Sequence, residues 1–162
     1  IDNDVIFGID GGAKPYRIGD RVRMSSRWRI NTTSQNIVGF GLSDLPVSAG
    51  NIIKNPTSDG VLWGWDTSIN GTNYIARSVG AAAVGNDPTI TAGNTSYHDF
   101  YIDMVSVSKL DFYYDGLYMV SKTAQIPAAA TMLGGVVFSN TTREEVGKDA
   151  YMDYILIYMN RA

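Results

Sequence analysis

Four arginines alternate with apolar residues in one short run of the chain, and they are Arg21, Arg23, Arg27 and Arg29. Successive side chains of a β-strand point to opposite faces, so we predict a strand over 21–30 with its apolar residues inward and all four guanidinium groups outward. Guanidinium groups bind carboxylates well, and the row is therefore a candidate docking surface for an acidic protein or polysaccharide. The alternative is a solvated face that pairs with a neighbouring acidic strand.

Two tryptophans form a second candidate site. Trp63 and Trp65 flank Gly64, so they share one face of a predicted strand. Paired aromatic rings can form a platform for sugar rings, whereas the same alternation is also typical of a sandwich core. We favour the core interpretation and keep carbohydrate binding by Trp63 and Trp65 as the alternative.

Groups for acid–base catalysis are few. Hydrolysis of a glycosidic bond usually needs two carboxylates about 5 to 9.5 Å apart. The two glutamates of the chain, Glu144 and Glu145, are adjacent and would point in opposite directions in an extended segment. Asp99 and Asp103 share a strand face but would lie about 13 Å apart. We therefore predict a chain that is not an enzyme and has no catalytic residues.

The sequence has one histidine, His98, and no cysteine, which excludes multi-histidine and thiolate metal sites. We expect no metal and no cofactor. In a strand, His98 shares its face with Phe100, Ile102 and Met104, so we interpret it as a hydrogen-bonded residue at the border of the core. The glycine patterns of phosphate loops, dinucleotide sites and nucleophile elbows are missing.

Length and charge restrict the partners further. A chain of 162 residues is expected to form a single domain over 1–162. Its 13 basic and 16 acidic residues give a net charge of −3, so broad binding to nucleic acid or to a membrane surface is not expected. No segment approaches the roughly 18 consecutive apolar residues of a membrane span.

Ten runs show the period-two alternation and the turn residues of strands, and helical periodicity is nearly missing. The predicted strands cover 5–9, 21–30, 37–43, 61–66, 74–79, 97–106, 109–114, 117–122, 134–139 and 151–158. Asp115-Gly116 predicts a hairpin with a type I′ turn, which needs positive φ at both residues. Ten short strands without helices predict an all-β sandwich or jelly roll of two packed antiparallel sheets.

Several motifs resemble one fold family. Phe112-Tyr113-Tyr114-Asp115-Gly116-Leu117, preceded by the strand opening Tyr97-His98, resembles the F-x-x-D-G hairpin of concanavalin A-like lectin/glucanase sandwiches. The segment 152–158 looks like the closing strand of that fold. The catalytic glutamate pair of the glucanases and the metal ligands of legume lectins have no counterpart here. The resemblance therefore implies the scaffold without its enzymatic site.

Within that group, the stretches 28–30, 37–44 and 126–129 are similar to domains of tailed-phage virion proteins. This resemblance implies a non-enzymatic virion surface protein, either a capsid decoration or stabilising module or a part of a head or tail fibre. We expect a symmetric oligomer that docks on other virion proteins through the arginines. The alternative is a carbohydrate-binding module of an adhesin or secreted enzyme, and an unrecognised hydrolase or lyase is a third possibility.

Overall fold

The computed structural model describes residues 3–8, 14–31, 36–44, 59–66, 73–81, 83–84, 90–141 and 150–159. Within them the chain forms twelve strands and one short 3-10 turn. The strands are β1 (Asn3–Gly8), β2 (Tyr16–Arg17), β3 (Arg23–Ile30), β4 (Asn36–Ser43), β5 (Gly60–Asp66), β6 (Tyr74–Gly80), β7 (Ala83–Val84), β8 (His98–Ser106), β9 (Lys109–Tyr114), β10 (Leu117–Lys122), β11 (Met132–Thr141) and β12 (Ala150–Tyr158). The 3-10 turn covers Ile18–Asp20.

The described strands build two antiparallel sheets. One sheet has seven strands, in the order β1-β11-β4-β5-β6-β7, with β2 paired to β11. The other has five strands, in the order β10-β9-β8-β3-β12. The predicted two-sheet, all-β architecture is confirmed, and each of the ten predicted strands is present. The two additional strands, β2 and β7, have only two residues each, too few for an alternation to show.

Aromatic side chains fill the space between the sheets. Trp28 stacks on Phe100 with ring centres 4.5 Å apart, and the Tyr74 ring meets Phe100 edge-on at 5.0 Å. All three side chains are fully buried, together with Phe40 and Phe112. Burial of this apolar area is the main favourable contribution to folding, because apolar surface leaves water.

The first predicted strand residue is placed differently. β3 begins at Arg23, whereas Arg21 has φ 49° and ψ 57° and ends the 3-10 turn. The Arg21 N–H donates to the Ile18 carbonyl at 3.2 Å. Arg21 is exposed but does not lie on the strand, so its predicted place in the arginine row is wrong. The inward set is confirmed, because Val22, Met24 and Trp28 are buried.

The predicted hairpin joins β9 to β10. Asp115 and Gly116 lie between the two strands, and both have positive φ, at 48° and 77°. Elsewhere, the helix content of the described ranges is limited to the 3-10 turn, and none of it is long and apolar enough to cross a membrane.

Candidate functional site

The three remaining arginines lie on the outward side of the five-stranded sheet, which we call the outer face. β3 is an interior strand between β8 and β12, so each arginine has neighbours on both sides. Arg23 and Arg27 are exposed and Arg29 is half-buried. The prediction that these three guanidinium groups share an outward face is confirmed.

An ion-pair row crosses the outer face near Arg23. The Arg23 Nε atom lies 3.2 Å from Asp103 Oδ1, and this carboxylate raises the pKa of Arg23. Asp103 lies directly across from Asp111 on β9, and Lys109 Nζ contacts Asp111 Oδ2 at 3.0 Å. Ser121 Oγ donates a second hydrogen bond to Asp111. Each of the two adjacent carboxylates thus has its own cation, which offsets the repulsion of like charges on facing strands.

This row places two carboxylates on neighbouring strands, which the spacing of Asp99 and Asp103 along one strand did not predict. Strand register depends on contacts between distant segments, so alternation along each strand could not predict that Asp111 would face Asp103. Both carboxylates are held in ion pairs. The arrangement is thus a row of two ion pairs on the surface of the five-stranded sheet.

A tyrosine row runs beside the ion pairs. Tyr101 on β8, Tyr113 on β9 and Tyr118 on β10 follow one another across three strands, with ring centres 5.5 Å and 5.9 Å apart. Tyr118 is 56% exposed. On the other side of Tyr101 the row meets the small side chain of Ser25, which lies between Arg23 and Arg27 along β3. The row of aromatic rings thus ends at a small side chain that lies between two arginines of β3.

An arginine–tyrosine cluster occupies the other end of the face. The Arg29 guanidinium carbon lies 5.1 Å from the Tyr97 ring centre and 4.6 Å from that of Tyr151. The Arg27 guanidinium carbon lies 5.7 Å from the Tyr97 ring centre. These are cation–π distances, so aromatic rings hold both guanidinium groups in position.

Carboxylates are less involved in this cluster. Asp99 faces Arg27 in the strand register, but its Oδ1 atom accepts a hydrogen bond from the Tyr154 hydroxyl at 2.9 Å. Within the described part of the chain, no carboxylate oxygen lies within 4.0 Å of a guanidinium nitrogen of Arg27 or Arg29. The N–H groups of the exposed Arg27 side chain are therefore available to an external acceptor, unlike the Nε–H of Arg23. The Arg29 Nε atom is buried and has no hydrogen-bond partner among the described residues.

The tryptophans belong to the core. Trp63 and Trp65 are both 0% exposed. The indole N–H of Trp63 donates across the interior to the Tyr101 carbonyl at 3.0 Å, and Gly93 packs against the Trp65 ring. The core interpretation is confirmed. A sugar platform made of Trp63 and Trp65 is ruled out by this burial, because a ring must present a face to its ligand.

His98 is a structural residue. Its Nδ1 atom lies 2.7 Å from Asp115 Oδ2, its Nε2 atom lies 2.9 Å from Asn94 Oδ1, and its ring stacks on Tyr114. The other oxygen of Asp115 accepts the Asp99 backbone N–H at 2.9 Å. The interpretation of His98 as a hydrogen-bonded border residue is confirmed, and the hairpin aspartate proves to be its main partner.

Other chemistry-bearing residues add little to the site. Glu144 and Glu145 lie outside the described residues. Among the residues that the structure covers, no group of three or more His, Asp or Glu side chains is placed to hold a metal ion.

No protein-family model and no curated protein sequence matches this chain. Solved structures do resemble it. A glycosidic hydrolase in its native form superposes with a TM-score of 0.62 at 14% identity, over 88% of this chain and 66% of that enzyme. A Bacillus licheniformis β-glucanase gives a TM-score of 0.61 at 13% identity, over 99% of this chain and 71% of that one. Sheep galectin-11 gives 0.58 at 4% identity, over 96% of this chain and 98% of that one.

At such low identity these likenesses concern the fold alone. They agree with the two antiparallel sheets described above, and they include both hydrolases and a galectin. The chain has the concanavalin A-like jelly-roll fold that glucanases and galectins share.

Proposed function

We propose that this chain is a non-enzymatic virion structural protein, a capsid decoration or fibre module that docks on other virion proteins through its outer face. The observation that carries the docking role is the arginine–tyrosine cluster. Arg27 and Arg29 are held by the rings of Tyr97 and Tyr151. Guanidinium groups fixed in this way lose little side-chain freedom on binding, which lowers the cost of association.

The composition of the outer face also supports docking. Tyrosine and arginine are enriched at the centres of protein interfaces. Three tyrosines of this sheet, Tyr118, Tyr151 and Tyr158, are between 41% and 56% exposed. The virion assignment itself rests on the resemblance of the stretches 28–30, 37–44 and 126–129 to domains of tailed-phage virion proteins.

An attachment assay tests this proposal. Purified particles of the source virus that lack the chain are mixed with tagged protein and sedimented. We expect Arg27→Ala to weaken attachment at least about tenfold, the effect of removing a moderate interface hot spot. The matched control is Arg17→Ala, because Arg17 is an exposed arginine on β2 of the other sheet. Equal attachment by both variants, each with an unchanged melting temperature, would contradict the proposal.

A second candidate is a carbohydrate-binding module of an adhesin or secreted enzyme. The tyrosine row favours it, because exposed aromatic rings can stack on sugar rings and Tyr118 is the most exposed ring of the row. A glycan array in which wild-type protein binds selectively, and Tyr118→Ala does not, would support this function. Binding that is insensitive to Tyr118→Ala would rule out the tyrosine row as the sugar site.

A further inference from the structure

β12 forms one edge of the five-stranded sheet. It pairs with β3 on one side, and no strand of the described ranges pairs with it on the other. A free edge presents unpaired backbone N–H and C=O groups that can add another strand. Natural sheets usually protect such edges with charges or bulges. In β12 a charge and a bulge occur at the same place, near the beginning of the strand. Asp153 is the only charged residue of β12, and it lies at the irregularity in register between Met152 and Tyr154.

The rest of the edge has no such protection. Residues 154–158 read Tyr-Ile-Leu-Ile-Tyr, an uncharged segment of residue types that favour strands. Leu156 is 45% exposed and Tyr158 is 52% exposed. Ile155 and Ile157 alternate with them and remain half-buried, because the sheet ends there.

The segment is also a palindrome centred on Leu156. If a second copy pairs antiparallel about a two-fold axis at this residue, Leu156 faces its own equivalent. Tyr154 then faces the second copy's Tyr158, and Ile155 faces the second copy's Ile157. On one face of the joined sheet, each tyrosine would contact a tyrosine and the two leucines would contact each other. On the other face, each isoleucine would contact an isoleucine. Such cross-strand aromatic and branched pairs stabilise a sheet.

We propose that two copies of this chain pair through residues 154–158 of β12 and join their five-stranded sheets into one continuous sheet. Palindromic order favours a second copy as the occupant, because in a two-fold contact residue i faces residue j and residue j faces residue i, so this order makes every facing pair one of identical residue types. Pairing would give the edge its missing hydrogen bonds and would complete the burial of Ile155 and Ile157. It leaves the outer face free, so this inference does not rest on the proposed docking function.

Oligomeric state in solution tests the interface directly. Light scattering after gel filtration, over about 1 to 100 µM protein, should show the wild-type mass rising from 17.6 kDa to twice that value. Leu156→Lys puts two like charges opposite each other at the two-fold axis, so it should remain monomeric at every concentration. The matched control is Leu117→Lys on β10 at the opposite edge, where Leu117 is 67% exposed, and it should dimerise as wild type does.

Cysteine cross-linking tests the register. The chain has no cysteine, so an introduced one can bond only to its equivalent in another copy. Leu156→Cys should form a disulfide-linked dimer under mild oxidation, because facing residues of paired strands lie within disulfide reach. A mixture of Tyr154→Cys and Tyr158→Cys proteins should yield the mixed dimer in preference to either homodimer.

Three outcomes would overturn the inference. Wild-type protein could remain monomeric throughout the concentration range, or a dimer could survive Leu156→Lys. Leu117→Cys could also cross-link as readily as Leu156→Cys. Circular dichroism of each variant separates loss of pairing from loss of folding. None of these outcomes bears on attachment through Arg27, so failure here is distinct from failure of the docking proposal.

Discussion

Asp115, at the turn between β9 and β10, makes hydrogen bonds through both its side chain and its backbone. Its two carboxylate oxygens contact His98 Nδ1 and the Asp99 N–H, and its own N–H donates to the Asp99 carbonyl at 2.8 Å. It does so with φ at 48°, a conformation that aspartate adopts more readily than most residues. One side chain therefore fixes the turn and the beginning of β8 together.

Replacement of this side chain should destabilise the fold. We expect Asp115→Ala to lower the free energy of unfolding by about 1 to 3 kcal/mol, since it removes two hydrogen bonds and puts alanine at positive φ. Asp115→Asn keeps an acceptor oxygen and tolerates the backbone conformation, so its loss should be smaller. Urea denaturation of the three proteins measures the difference, and equal stability of wild type and Asp115→Ala would contradict this role.

The buried Tyr74 and the half-buried Tyr114 should make stability depend on pH in the alkaline range. Burial raises the pKa of Tyr74 from 10.0 to about 12, and it also raises the pKa of Tyr114. Both hydroxyls hold their protons in the folded state at pH values where the unfolded chain has lost them. Their contribution is therefore complete below pH 10 and declines as the pH rises from about 10 towards 12.

Thermal unfolding between pH 8 and 11.5 measures this decline. The melting temperature of the wild-type protein should fall above about pH 10. The melting temperature of Tyr74→Phe should fall less steeply, because phenylalanine has no hydroxyl to ionise at this position. Identical slopes for wild type and Tyr74→Phe would show that Tyr74 contributes nothing to the alkaline loss.

At the scale of single contacts the sequence was only partly informative. It predicted the Asp115-Gly116 turn, because turn geometry depends on neighbouring residues. It did not predict the contact between Asp115 and His98, which are 17 residues apart in the chain. Nor did it predict that tyrosine rings would hold Arg27 and Arg29, because Tyr97 and Tyr151 reach them from other segments.

The bounds of a strand were predictable where the alternation of apolar and polar residues covers the same residues as the strand itself. In β3 the apolar residues point inward as expected, yet the alternation continues through Val22 and Arg21, which precede the first residue of the strand. Hydropathy reports which side chains are buried, and Val22 is buried without being part of the strand. The start of β3 is set instead by the left-handed conformation of Arg21, which alternation does not detect.

The segment 90–94 explains why Trp65 is inaccessible. Gly93 lies so close to the indole that a Cβ atom there would be 1.9 Å from Trp65 Cζ3. A bare backbone is therefore required at this position for the segment to cover the ring. Trp65 in turn packs edge-on against Tyr74 at 5.2 Å, which leaves it little room to move.

Gly93→Ala should consequently be destabilising. We expect a loss of about 1 to 3 kcal/mol in the free energy of unfolding, the usual cost of overpacking a core. Gly19→Ala is the milder control, because its Cβ would lie 3.3 Å from the nearest atom, the Ala129 carbonyl oxygen, which is a tight contact but not the overlap found at Gly93. Chemical denaturation followed by tryptophan fluorescence measures the free energy of unfolding of the two variants. A Gly93→Ala protein as stable as the control would show that the segment can withdraw from Trp65.

At the scale of the whole molecule, the fold was predictable and its activity was not. Alternation over ten runs predicted two antiparallel sheets, because each half-apolar strand must bury one face. Strand order and register depend on contacts between distant segments, so the pairing of Asp103 with Asp111 emerged only from the structure. The fold is shared by hydrolases and a galectin, and fold alone does not decide between catalysis and binding.

We expect the purified chain to release no reducing ends from mixed-linkage β-glucan. The carboxylates facing each other on its outer face are held in ion pairs with Arg23 and Lys109. A reducing-sugar assay with a lichenase as positive control checks this expectation. Turnover that persists through purification and is lost on Asp111→Asn would identify an enzyme and overturn the non-enzymatic proposal.

Every residue of β5 and β6 is buried, on the side towards the five-stranded sheet and on the opposite side alike. We therefore expect the amide hydrogens of these strands to exchange with solvent mainly through opening of the whole molecule, because buried core strands belong to the most stable part of a fold. Deuterium uptake there reports global opening, while uptake at the β9–β10 tip reports local fraying. A ligand that binds only the folded state should slow exchange in β5 and β6 according to its affinity, wherever on the surface it sits.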